Sequence, residues 1–121
     1  IRDYNEVLDV PNWDFKVSTE IDGVKYIHGE AGTARTRATK DMQSTVQGHL
    51  HQQLYSHINV GDKSRVFGMQ VGCGIDHEKY AFNYAKAGAK PAIGCGVVIG
   101  GHTAIAVPMQ LEIYGKKSKF K

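Results

Sequence analysis

Two imidazoles stand one residue apart in Thr45-Val46-Gln47-Gly48-His49-Leu50-His51, at the end of a β-prone run. On an extended backbone residues i and i+2 face the same side, so His49 and His51 can present both rings to one space. Gly48, just before them, permits a sharp turn and a close approach of other groups to the backbone. His28 has a similar setting, because it closes the β-prone run Val24-Lys25-Tyr26-Ile27 and precedes Gly29. A neutral imidazole held by a rigid strand end is a metal ligand, and metal binding is therefore the chemistry expected of His28, His49 and His51. An isolated H-x-H is a weak signal; the glycine, the β run ahead of it and the second strand-end histidine strengthen it. His57, His77 and His102 lack such a setting and read as ordinary histidines.

The elements that would position these rings are legible from periodicity. Residues 2–9 place Tyr4, Val7 and Leu8 on one helical face, and Pro11 ends that segment. Trp13 is expected to pack into the core beneath the turn. Phe15, Val17, Thr19 and Ile21 alternate with polar residues, Asp22-Gly23 supplies a two-residue turn, and residues 24–27 return as the second strand of a hairpin. That strand delivers His28 to its C-terminal edge. Residues 33–43 read as a helix capped by Thr33, with Ala34, Ala38 and Met42 recurring every fourth position. Arg35, Arg37 and Lys40 occupy its other faces as solvated charges; the sharper reading is that Arg35 or Arg37 reaches an anionic substrate. A strand over 44–47 follows, so strand, histidine, helix, strand and histidine pair make a βαβ crossover with parallel strands.

Beyond residue 52, the segments 54–60 and 65–71 are β-prone and flank the turn Gly61-Asp62-Lys63-Ser64. Val71-Gly72-Cys73-Gly74-Ile75 is echoed by Ile93-Gly94-Cys95-Gly96-Val97, which suggests two close-packed strands with buried cysteines. Residues 76–90 read as a loop or short helix. A glycine-turn hairpin follows, with Gly100-Gly101 between residues 97–99 and 103–113, and Pro108 marks its last strand as an edge.

Composition bounds the rest. The 121 residues suit one domain, and 41% apolar with 22% charged residues is a globular balance. Net charge is +3, much of it in the tail Lys116-Lys117-Ser118-Lys119-Phe120-Lys121, which reads as a solvated end. No apolar run approaches the ~20 residues that span a bilayer, and the first residues carry no signal-peptide pattern. Two cysteines offer no disulfide framework and suit a reducing cytoplasm. The start Ile1-Arg2-Asp3-Tyr4 reads as though it lay inside a helix, as expected of a fragment.

The segments Tyr26-Ile27-His28-Gly29 and Val46-Gln47-Gly48-His49-Leu50-His51, separated by a helix, resemble the C-terminal half of the calcineurin-like metallophosphoesterases. The resemblance extends from about residue 15 to residue 113 through Gly72-Cys73-Gly74, Tyr80 to Tyr84 and Gly94 to Val98. It is similar to phage and bacterial members, and G-H-x-H is its most specific element. It implies an α/β fold, the C-terminal half of a two-sheet sandwich in which a βαβ unit carrying the histidines precedes mostly antiparallel strands. It also implies two divalent metal ions (manganese, iron, zinc or nickel), with His28 and His49 on one ion and His51 on the other. The reaction it implies is hydrolysis of a phosphate ester, with nucleotides and nucleic acids among the expected substrates, in the cytoplasm of a bacterium or phage-infected host. The family's D-x-H, G-D-x-x-D and G-N-H-D/E motifs do not occur in the chain. The expected partner is therefore an N-terminal half or another subunit that completes the site. The competing expectations are a degenerate, non-catalytic binding or assembly module, and a nucleic-acid-binding accessory protein. With 9% aromatic residues and no interleaved basic stripe, the accessory protein has the weakest support.

Overall fold

The computed structural model describes residues 3–75 and 91–110. Its elements in chain order are α1 (Tyr4–Val7), β1 (Ser18–Ile21), β2 (Val24–Ile27), α2 (Ala34–Asp41), β3 (Thr45–Gln47), β4 (Leu54–Val60), β5 (Arg65–Val71), β6 (Gly94–Ile99) and β7 (Thr103–Pro108). The protein is mixed α/β, with a five-stranded sheet in the order β1-β2-β3-β5-β4 and a two-stranded sheet β6-β7. The expected loop over 76–90 and the basic tail lie outside the described residues. No helix among the described residues is long and apolar enough to cross a membrane.

Local chemistry accounts for most of these elements. Asp22 and Gly23 both take positive φ, 51° and 76°, the backbone a two-residue hairpin turn requires, and β1 pairs antiparallel with β2. Helix α2 starts where Thr33 Oγ1 accepts from Thr36 N at 3.2 Å. It ends where Met42 enters the left-handed region at φ 49°. Met42 is thereby 47% exposed and drops off the buried face that Ala34 and Ala38 form. The helix joins β2 to β3, and these pair in parallel with Lys25 opposite Thr45 and Ile27 opposite Gln47. Strand β3 is parallel to β5 as well, and β4 closes the sheet antiparallel to β5.

Alternation along β2, β3 and β5 sorts their side chains onto two faces. Val24, Val46, Phe67 and Met69 form the apolar core, with Tyr26, Val71, Val98 and Ala104 packed against it. The β6-β7 hairpin covers that side; a Cβ on Gly96 would come within 2.6 Å of Met69 Cε. The other side receives α2. A Cβ on Gly68 would lie 2.5 Å from Ala34 O, so only glycine lets the helix sit this close.

Two expectations about burial are corrected, for Trp13 and for the cysteines. Trp13 is 64% exposed, not core, and lies beside Phe15 with ring centroids 6.3 Å apart. Tyr4 and Val7 of the short α1, and Leu8 just after it, are exposed as well. Cys95 is exposed and Cys73 only half-buried. The strand that carries Cys95 turns its flanking glycines toward the main sheet, so alternation directs Cys95 outward. The two glycine–cysteine segments do meet, through a single parallel bridge between Cys73 and Ile93.

Candidate metal centre

His28 is the first residue after β2 and His49 the second after β3, neighbouring parallel strands, and so both emerge at the same edge of the sheet. The residues between them extend the ladder, since Gly48 N donates to Ile27 O at 3.2 Å. The two rings meet with His28 Nε2 3.1 Å from His49 Nδ1, their planes inclined at 73° and centroids 5.0 Å apart. Both side chains are exposed. A hydrogen bond between exposed groups contributes little in water, so the backbone must keep these rings together.

The backbone does this in an unexpected way. The sharp turn falls on His49 and not on Gly48. His49 has φ 68°, and Leu50 N donates to Gly48 O at 2.8 Å, closing a three-residue γ-turn centred on the histidine. A non-glycine residue in this region costs of order 1–2 kcal/mol, and such strain concentrates at functional sites. A Cβ on Gly48 would meet nothing nearer than His28 O at 3.7 Å, an ordinary contact. The tight position is instead Gly29, at φ 92°, where a Cβ would come within 2.6 Å of the Gln47 side chain.

Because β3 ends at Gln47, the segment carrying His49 and His51 is not extended, and the alternation expected to put both rings on one side does not operate there. His51 is half-buried, and its backbone is tied to the later part of the chain through Ala92 N, which donates to His51 O at 2.6 Å. Among the described residues, no group of three or more His, Cys, Asp or Glu side chains is placed to hold a metal ion. What the structure brings together is the pair His28 and His49. His57 lies in β4, and the exposed His102 shares a 2.7 Å hydrogen bond with Thr103 Oγ1; His77 lies outside the described residues.

Two glutamines that sequence reasoning passed over hold this corner. Gln47 and Gln70 are fully buried and stand in register on β3 and β5. Gln70 Oε1 accepts from Ala34 N at 3.0 Å, while its Nε2 donates to Gly48 O. One side chain thereby ties the start of α2 to the turn that presents His49. Gln47 Nε2 donates to Gly32 O at 3.0 Å and pins the loop that follows His28. Gln47 Oε1 is buried without a partner among the described residues. Glutamine inside short strands that are otherwise apolar or small was the available signal, since a buried amide requires specific partners.

The first turn of α2 offers nothing to an anion through its backbone. Its amides go to Gln70 Oε1, to Tyr55 Oη (from Arg35 N, 3.3 Å), to Thr33 Oγ1 and to Thr33 O. Any anion here must be met by side chains. Arg37 lines a groove of about 310 Å³ together with Lys25, His28, Gly29 and Glu30, whereas Arg35 is exposed and does not line it.

Comparison with protein families, with curated proteins and with solved structures returns no match for the chain. The site must therefore be judged on its donors. Two nitrogens 3.1 Å apart are closer than twice the ~2.1 Å metal–nitrogen bond, so both can reach one ion. As a donor set for one ion the pair fits, but incompletely. For a two-ion centre it does not fit by itself, because two neutral imidazoles leave two divalent charges uncompensated.

Proposed function

We propose that the chain contributes the histidine half of a metal-dependent phosphoesterase site, with His28 and His49 on one ion. The finer fold reading belongs to the same proposal: the two sheets correspond to the C-terminal half of a metallophosphoesterase sandwich. The observation that carries it is the 3.1 Å approach of His28 Nε2 to His49 Nδ1 at the ends of adjacent parallel strands. A buried ion pair or core packing does not explain two exposed imidazoles held together across a strained turn. The ion would supply a Lewis acid for a phosphoryl group. His28 and His49 would bind and orient it, Gln70 would fix the turn carrying His49, and Gln47 would fix the loop behind His28. Carboxylate donors must come from elsewhere in the completed site, such as an N-terminal half or another subunit. His51 is assigned to a second ion only in that completed site.

Manganese and zinc titrations, combined with hydrolysis of a generic chromogenic phosphodiester, test this reading. The chain is expected to bind one ion, and His28→Ala or His49→Ala to abolish binding. Hydrolysis is expected once the carboxylate-bearing part is supplied, by a longer polypeptide or a second subunit. Metal uptake that neither substitution alters would refute the assignment. Stoichiometric metal with no hydrolysis in the completed protein would favour the alternative, a non-catalytic binding or assembly module.

A further inference from the structure

We propose that Lys25 and Arg37 form a phosphate subsite beside the histidine pair, so that the substrate carries a second phosphate, as an oligonucleotide end does and a simple monoester does not. The substrate class rests on the reading of His28 and His49 as the reaction centre; the subsite rests on its own observations.

Lys25 comes from β2 and Arg37 from α2, and both line the groove that reaches His28. Both are half-buried, and among the described residues neither has an ion-pair partner. Lys16, by contrast, is exposed and paired with Asp14 at 3.0 Å. Their stems are covered while the charged heads face the groove's open space, so a bound anion would gain charge-assisted hydrogen bonds that no group of the chain now occupies. Two such cations in a single groove are a site for a doubly charged group such as phosphate. Glu30 shares the groove but pairs with neither cation, and its place in the chain, two residues past His28, puts it at the histidine end.

Spacing separates this subsite from the reaction centre. Lys25 precedes His28 by three residues of extended chain, about 10 Å between their Cα atoms by strand rise. On that backbone offset the proposal assigns to Lys25 and Arg37 not the phosphate that faces the histidines but its neighbour along an extended ligand. Since the amides at the start of α2 are all engaged, the grip comes from these two side chains and the helix contributes no free N–H.

The test titrates a thymidine mononucleotide and a phosphorylated thymidine dinucleotide into the full chain, once with manganese and once with EDTA. With manganese the dinucleotide is expected to bind about tenfold more tightly than the mononucleotide, and Lys25→Gln or Arg37→Gln to remove most of that advantage, as loss of a charge-assisted contact should. Lys63→Gln, in the exposed turn before β5, controls for bulk charge and should leave the preference unchanged. With EDTA the two nucleotides are expected to bind weakly and alike, and both substitutions to weaken that binding. The subsite is overturned if neither substitution affects nucleotide binding with EDTA, or if Lys63→Gln weakens it equally. Binding with EDTA that depends on Lys25 and Arg37, without a dinucleotide advantage under manganese, keeps the subsite and refutes the two-phosphate substrate. Metal uptake by both variants as in the parent chain shows that the histidine pair is intact.

Discussion

On one face of the five-stranded sheet, Val24, Val46, Phe67 and Met69 meet the β6-β7 hairpin in an apolar layer. On the other, the intervening positions of the same strands are Lys25, Thr45, Gln47, Gly68 and Gln70, against which α2 sits. The apolar layer is non-directional, and its contribution scales with area. The polar layer fixes particular atoms: Gln70 joins Ala34 to Gly48, and Gln47 joins β3 to Gly32. Stability is therefore concentrated on one face and placement of the histidines on the other. The loops bearing His28 and His49 spring from strands of three or four residues, too short to hold them without the glutamines.

Substitutions on the two faces should separate these roles. The largest effect is expected from Phe67→Ala, which empties the apolar layer and should cost about 3–5 kcal/mol in denaturant unfolding. The molecules that remain folded should still bind metal normally. Gln70→Leu should cost less, about 1–3 kcal/mol, through the unpaired Ala34 N and the loss of one of the two donors to Gly48 O. It should also weaken metal binding by about 10- to 100-fold, the usual range for a group that orients a ligand. If Gln70→Leu loses stability with no change in metal affinity, the division between the faces is wrong. The smallest change and the sharpest contrast should come from His49→Gly. Relief of the left-handed backbone should stabilise the fold by about 1–2 kcal/mol, while metal uptake disappears; calorimetric unfolding beside a metal titration reads both.

Much of the frame was legible from residue types. Asp22-Gly23 announced the hairpin, Thr33 the helix start, and the β-prone runs 54–60 and 65–71 around the turn Gly61-Asp62-Lys63-Ser64 the paired strands β4 and β5. The βαβ reading correctly brought His28 and His49 to one edge. The local turn was not legible. A pattern of histidine, one residue, histidine implies a shared side only while the strand continues, and β3 stops at Gln47. Glycine is the usual residue for a positive φ, so Gly48 was the natural candidate, yet His49 adopts it because Gln70 and Leu50 both hold Gly48 O. Trp13 and Cys95 misled because burial was inferred from residue type. Trp13 precedes the first strand, and Cys95 faces away from the main sheet. The pairing of Gln47 with Gln70 depends on a strand order, β3 beside β5, that no local pattern encodes.

The central claim, that His28 and His49 share one ion, is tested most directly by imidazole nitrogen NMR during a zinc titration. His28 Nε2 and His49 Nδ1 are predicted to shift together and to saturate at one equivalent, and His49→Ala to remove the response of His28. Independent shifts with different affinities, or a His28 response that survives in His49→Ala, would contradict a shared ion.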